Sequence, residues 1–341
     1  MSTKVSIIGG GSWGTAIAQV IAKNGYPVLI YVRNSKQRET INKNNLNKRY
    51  FPDFKLSKHI KATDSLKEAA KYGDVVIMAI PTHASREILE KMKGIINGNQ
   101  IIVSTAKGIE EKTYNSNSQI IKEYLDNPVV VLSGPTHAEE VIKSLPTTVV
   151  AASKDKKSAQ LIQEIMMSSK FRVYTNPDTV SVEIGGAIKN IIAIAAGIAD
   201  GLGYGDNTKA ALVTRGLHEM SRLGVTMGGK LLTFAGLTGM GDLVVTCASM
   251  HSRNRRLGIK IGQGLCLDDA LHEIKQTVEG VRTTRALYDW FSNGEYDFEI
   301  PITRQIYQVL FNNKNPLKAV DNLMLRGPKH EIEEVVNDIN W

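Results

Sequence analysis

Cysteine is scarce in this chain, long apolar runs are missing, and each shortage excludes a class of protein. Two cysteines among 341 residues, Cys247 and Cys266, are too few for a disulfide framework. Neither sits in a pattern of metal ligands, so no metal is expected, and unpaired thiols point to a reducing, cytoplasmic compartment. The longest charge-free apolar stretch, Ile191 to Ala199, is far short of the ~20 residues that cross a bilayer, so no integral membrane segment is expected. Met1-Ser2-Thr3-Lys4 runs straight into a strand pattern, without the basic and apolar regions of a secretory leader. Internal repeats and low-complexity segments are lacking too. The net charge of +8 admits a nucleic-acid partner. However, the basic residues are dispersed, with one cluster at Arg253-Asn254-Arg255-Arg256 and no basic tract interleaved with aromatics. A small anionic substrate and a phosphate-bearing cofactor fit that charge better, and no nucleic acid is expected.

What is present divides into two halves. At this length two domains are the prior. Up to about residue 180, short β-branched runs alternate with amphipathic helical patterns. The strand candidates are Val5–Ile8, Val28–Val32, Val75–Ile80, Ile101–Ser104, Val129–Leu132, Thr148–Ala151 and Phe171–Tyr174. Helices such as Trp13–Lys23, Leu66–Lys71 and Ala159–Met167 fall between them, and Asn42–Ile60 reads as a polar, irregular surface excursion. Such alternation predicts a parallel, doubly wound sheet. Beyond residue 180 the strand runs stop. Helix-length patterns cover Val182–Leu202, Thr208–Leu223, Leu267–Lys275, Thr283–Phe291, Ile302–Leu310 and Pro316–Leu323. The expectation is an α/β domain over residues 1–180 and an all-α domain over 181–341, with a charged, peripheral tail after Gly327.

Gly9-Gly10-Gly11-Ser12-Trp13-Gly14 contains G-x-G-x-x-G between the first strand and a helix, the setting of a dinucleotide-binding, Rossmann-like fold. Gly9 suits the tight turn, Gly11 the approach of a pyrophosphate to backbone N–H groups, and Gly14 close packing of helix on strand. The second strand ends in Tyr31-Val32-Arg33-Asn34, without the acid that reads an NAD ribose. Arg33 there suits the 2′-phosphate of NADP, which is expected to be preferred over NAD. An exposed Arg33 without a role is the alternative. Lys189 is the first catalytic candidate, because it interrupts the small, apolar run Gly185–Gly197. A buried ammonium must be compensated or lose its proton, and chains tolerate that mostly where the charge has a task. A snorkelling lysine would give the same pattern.

Several longer blocks add to these signals. They are Lys107-Gly108-Ile109-Glu110, Ser133-Gly134-Pro135-Thr136-His137-Ala138-Glu139-Glu140-Val141, and the lysine run continued to Asn207. Gly236-Leu237-Thr238-Gly239-Met240-Gly241-Asp242-Leu243, Ser252-Arg253-Asn254-Arg255-Arg256 and Val278-Glu279-Gly280-Val281-Arg282-Thr283-Thr284 complete the set. Together they resemble the bacterial-type NAD(P)-dependent glycerol-3-phosphate dehydrogenases from Lys4 to about Lys329. The resemblance implies reduction of dihydroxyacetone phosphate to sn-glycerol 3-phosphate, a precursor of glycerophospholipids, by a homodimer.

Residue by residue, it implies Lys189 as the group exchanging a proton with the substrate oxygen. Lys107, Gly134, Thr136, Asp242, Ser252, Arg253 and Asn254 are implied around the substrate. Gly9, Gly11, Ser12, Trp13, Gly14, Arg33, Tyr50, Lys107, Ala138, Arg253, Thr277 and Glu279 are implied around the cofactor. Thr136 replaces the family's usual serine, His137 a common aromatic, and Thr277 a more usual aliphatic. His137 reads as a helix-start residue, and Arg255 and Arg256 as surface charges. Ser252 alone would equally well cap a solvated basic helix. A dehydrogenase for 3-hydroxyacyl thioesters would need a His–Glu couple, and neither His218 nor His251 stands in such a block. A cofactor-sensing protein would lack the polar cluster that is present here.

Overall fold

The computed structural model describes residues 3–328, 330 and 331. Its strands are β1 (Val5–Ile8), β2 (Val28–Tyr31), β3 (Leu46–Asn47), β4 (Phe51–Lys55), β5 (Ile60–Thr63), β6 (Val75–Met78), β7 (Ile101–Ser104), β8 (Val129–Ser133), β9 (Thr147–Ala152) and β10 (Phe171–Asn176). Eight of them form one sheet in the order β10-β9-β8-β7-β6-β1-β2-β5. Runs such as Val5-Ser6-Ile7-Ile8 and Val75-Val76-Ile77-Met78 are buried along their whole length, as parallel strands covered on both faces must be. Ile7, Ile30 and Val103 pack into the core on one face, and Ile8, Val76, Met78 and Ile102 into the core on the other. β1 lies between β2 and β6, with Val5 opposite both Val28 and Val75. The strand order therefore reverses at β1, and ligands of such sheets bind in the crevice at the carboxyl ends of the strands there.

Two expectations need correction. The sheet is mixed, because β9 runs antiparallel to β8, with Val131 opposite Ala152. The connection between them holds only the short helix Ala138–Val141, too little for a parallel crossover. The stretch Asn42–Ile60 is also ordered. It finishes the helix Ser35–Asn44, forms the β3/β4 hairpin and leads into β5, the sheet edge. Pro52, Asp53 and Lys55 give β4 a polar look that hides the pairing. Asn42 then satisfies the edge strand: its amide donates to the Ala62 carbonyl at 2.9 Å and its oxygen accepts from Ala62 N at 2.8 Å.

The C-terminal domain is helical and built on Thr179–Gly201, buried from Ser181 to Ala199. Asp178 caps it, accepting from Ser181 N at 3.0 Å. By length and composition this helix and the segment Leu231–Ala248 are apolar enough to cross a membrane, which the charge-free run did not suggest. The first is covered by protein from Ser181 to Ala199. The second is broken into a turn of helix at Leu231–Phe234, a π turn at Leu237–Gly241 and the helix Asp242–Ala248. The helix Arg253–Gly262, missing from the expected set, crosses the long helix at backbone contact. A Cβ on Gly197 would lie 2.0 Å from the Arg255 carbonyl oxygen, and one on Gly258 2.1 Å from that of Ile194. Beyond Glu331, the charged tail expected to be peripheral lies outside the described residues.

Candidate active site

Segments far apart in sequence bring charged groups to one buried point. Lys189 projects from the long helix and is 5% exposed. Its Nζ donates to Asp242 Oδ1 and, at 2.9 Å, to Thr246 Oγ1. Asp242, at the start of its helix, is 1% exposed, and its Oδ2 accepts from Lys107 Nζ at 2.8 Å. Lys107 follows β7 and also donates to the Gly134 carbonyl at 2.8 Å, just past β8. One carboxylate thus bridges two ammoniums, one from each domain. The small residues beside Lys189 make room for this. A Cβ on Gly185 would lie 2.5 Å from the Thr238 carbonyl oxygen in the π turn. On Gly186 it would lie 2.9 Å from Ser133 Oγ and 3.5 Å from Lys107 Cγ.

Burial sets the electrostatics. Loss of water pushes the Lys189 ammonium down to about 7, and the Lys107 charge adds to that, while Asp242 opposes it. Loss of water alone would push the Asp242 carboxyl up, but Lys107 and Lys189 together hold it below its ordinary value. The protonation of Lys189 and that of Asp242 therefore depend on each other. With Lys189 protonated, two cations and one anion leave one net positive charge for an anionic ligand or a developing oxyanion.

Amide groups extend the site. Asn190 Nδ2 donates to the Lys107 carbonyl at 3.0 Å, and Asn190 Oδ1 accepts from Asn254 Nδ2 at 2.9 Å. Asn254 Oδ1 accepts from Gly280 N at 3.0 Å. Arg253 donates to the Thr277 carbonyl at 2.8 Å, and Thr136 Oγ1 to the Gly134 carbonyl at 3.0 Å. Burial pushes the Glu279 carboxyl up, against the pull of Arg253, Lys107 and Lys189. Beside Lys107, a cavity of about 180 Å³ opens between Thr82, His83, Gly108, Glu111, Glu279 and Arg282. His137 starts the helix Ala138–Val141 as expected, and burial, then Lys189 and Lys107, lower its imidazole.

The glycine loop lies at the strand switch point. Gly9 has φ +117°, and a Cβ there would lie 2.5 Å from the Ala79 carbonyl oxygen beyond β6. A Cβ on Gly14 would meet the Gly9 carbonyl oxygen at 2.0 Å, whereas one on Gly11 meets nothing within 4 Å. The helix Ser12–Lys23 begins here, so its first N–H groups lie at the positive end of a helix dipole. Trp13 Nε1 is buried without a partner among the described residues. This cradle fits a pyrophosphate. Arg33 is exposed just past β2. Tyr50 is half-buried in the β3/β4 hairpin, with the Arg49 guanidinium 5.5 Å from its ring centroid. Ala138 is buried at its helix start.

Ser252 caps the helix Arg253–Gly262, its hydroxyl accepting from Arg255 N at 3.2 Å. One residue stands differently from the expectation. Arg255 is no surface charge, since its Nε donates to Asp200 Oδ2 at 2.8 Å and its Nη1 to the Ala248 carbonyl at 2.8 Å. Asn190 and Thr246 escaped the sequence reading. Asn190 adjoins Lys189, and Thr246 stands one helical turn after Asp242, so spacing around the charged pair was the signal.

Comparison with known proteins decides the family. Residues 4–159 match the family model described as NAD-dependent glycerol-3-phosphate dehydrogenase N-terminus, and residues 178–321 its C-terminus. The chain belongs to this dehydrogenase family. A glycerol-3-phosphate dehydrogenase [NAD(P)+] of Halothermothrix orenii is 66% identical over the whole of both chains. One from Bacillus subtilis is 51% identical, covering 98% of this chain and 97% of the relative. The crystal structure of the glycerol-3-phosphate dehydrogenase of Coxiella burnetii, 36% identical, superposes with a TM-score of 0.91 over 95% of this chain and 99% of that one. In this member of the family, the motifs singled out in the sequence fall in two places, the glycine cradle and the lysine–carboxylate cluster.

Proposed function

We propose that this protein reduces dihydroxyacetone phosphate reversibly to sn-glycerol 3-phosphate, using NADPH in preference to NADH. The observation that carries the reading is Lys189, held buried and ion-paired by Asp242 beside Lys107. The nicotinamide cofactor, when bound on the Gly9–Gly14 cradle, supplies the hydride. Hydride arriving at a ketone carbon leaves charge on its oxygen. Lys189 stabilises that charge and donates the proton, a contribution of about 10²–10⁴ in rate. Asp242 favours the protonated form of Lys189 against the cost of burial, and Thr246 fixes where the ammonium points. Lys107 polarises and holds the substrate from the other side, with Gly134 and Thr136 near it.

Arg253 offers a planar fork to the substrate phosphate. Asn254 keeps one amide N–H for the same ligand after serving Asn190 and Gly280. Thr277 and Glu279 belong to the nicotinamide side, Arg33 to the 2′-phosphate, and Gly9, Gly11, Ser12, Trp13, Gly14, Tyr50 and Ala138 to the rest of the cofactor. Ser252 contributes by starting the helix that presents Arg253. The division near residue 180, a homodimer, a cytoplasmic location and a supply role for glycerophospholipid synthesis complete the reading, all supported by likeness to the family.

The test is the loss of nicotinamide absorbance with dihydroxyacetone phosphate and either cofactor. Turnover with a lower KM for NADPH than for NADH is expected. No consumption at high protein concentration, or consumption only with an acyl thioester, would overturn the reading. Sedimentation of the purified chain checks the dimer.

A further inference from the structure

We propose that Gln37 and Asn47 are positioning residues for the dinucleotide, clamping the Gly10 carbonyl so that the Gly11 N–H is aimed at the pyrophosphate. The proposal rests on the cradle reading given above. The Gly10 oxygen accepts from Gln37 Nε2 at 2.6 Å and from Asn47 Nδ2 at 3.1 Å. Asn47 is fully buried, and the two side chains are locked to each other, Gln37 Nε2 donating to Asn47 Oδ1 at 3.1 Å. Asn47 Nδ2 also donates to Thr15 Oγ1 at 2.8 Å, which ties the clamp to the first turn of the helix behind the loop. Asn34 Oδ1 in turn accepts from Gln37 N at 3.0 Å, starting the helix that carries Gln37.

The consequence follows from peptide geometry. The Gly10–Gly11 peptide is planar and trans, so its C=O and N–H point in opposite directions. With the oxygen held toward Gln37 and Asn47, the Gly11 N–H faces the other side. Three consecutive glycines are otherwise the most mobile backbone a loop can have. A clamp that removes this freedom before the ligand arrives lowers the ordering cost of binding. Gly10 itself must lack a side chain, since a Cβ would lie 2.3 Å from Val32 Cγ1. The β3/β4 excursion, polar and surface-like in sequence, thus supplies half of the clamp through Asn47.

The pyrophosphate is common to both cofactors, whereas Arg33 senses only the 2′-phosphate. Dissociation constants for NADPH and NADH, read by nicotinamide fluorescence, separate the two. In Gln37→Ala, both constants are expected to rise by the same factor, about three- to tenfold for the hydrogen bond lost from the Gly10 oxygen. Their ratio stays fixed, and the kinetic loss falls on KM for cofactor rather than on kcat at saturation. Asn47→Asp, which turns an acceptor toward the Gly10 oxygen, is expected to lose more. Unchanged constants in folded Gln37→Ala, or a loss confined to NADPH, overturn the proposal even if Asn47→Asp fails to fold. Arg33→Asp is expected to shift the ratio toward NADH; an unchanged ratio there removes the Arg33 role and leaves the clamp standing. A parent protein that binds neither cofactor overturns the cradle reading and the clamp with it.

Discussion

Asp242 and Glu219 are both buried carboxylates of the helical domain, and their surroundings send them in opposite directions. Among the described residues, the hydrogen bonds Glu219 accepts come from neutral donors, Ile302 N and Thr303 N at 2.9 Å and Thr303 Oγ1 at 2.5 Å, and the Arg326 charge acts on it only weakly. Burial pushes its carboxyl up, and those hydrogen bonds do not offset it. Glu183, where the long helix meets Ser116 and Ser118 of the N-terminal domain, behaves likewise. Asp242 is as deeply buried, but two ammoniums hold it low. Around Glu219 and Glu183 neutral donors satisfy the lone pairs without repaying the loss of water, whereas around Asp242 two cations repay it. Glu219 caps the helix Pro301–Phe311, and Glu183 pins the two domains together. In the proposed reaction, Asp242 maintains charge beside the reacting oxygen.

The contrast is open to experiment. Asp242→Asn leaves two lysines facing each other without an anion, and turnover is expected to fall at least about a hundredfold. Turnover within a fewfold of the parent would place Asp242 with the structural carboxylates. Next comes the pH dependence of kcat/KM, which reports the free enzyme. With the Lys189 ammonium lowered to about 7, reduction should weaken as pH climbs through that value, and oxidation should gain. Parallel profiles in the two directions would remove Lys189 as the proton carrier.

The smallest effect concerns stability, followed by urea unfolding over a pH series. A raised carboxyl such as Glu219 means the folded chain binds the proton more tightly than the unfolded one. Its contribution is complete below the unfolded value and disappears as pH rises through the folded value. Asp242 has the opposite sign, its contribution being lost as pH falls through its lowered value. Glu219→Gln should therefore flatten the high-pH loss and lower stability by about 1–3 kcal/mol, because its NH2 faces one of the two backbone donors, with turnover retained. A collapse of turnover in that variant would erase the distinction between the two carboxylates.

The same contrast explains what could be read from the sequence. Lys189 was legible because a lone charge in an apolar helix is a local anomaly, and the Gly9–Gly14 loop because its strand and helix flank it directly. Asp242 needed a motif, since nothing near it in sequence shows that its partners lie 53 and 135 positions away. Glu183 and Glu219 passed unnoticed for the same reason: their donors are backbone N–H and hydroxyl groups supplied by distant segments. The reversal of β9 and the β3/β4 hairpin were also set by non-local pairing. In Arg253–Gly262 the packing seam is made of Asn254, Leu257, Gly258 and Ile261, too polar and too small to look like a core face. The pairs Gly197/Gly201 and Gly258/Gly262, each one turn apart, were the available sign that two helix backbones touch.

The proposed reduction depends most on the protonated Lys189 amine. Its direct test is kcat of Lys189→Ala at saturating NADPH and dihydroxyacetone phosphate, measured alongside its melting temperature and NADPH affinity. The expected result is a fall of about 10²–10⁴ in kcat with fold and cofactor affinity kept. A folded, NADPH-binding variant that turns over at close to the parent rate would contradict it.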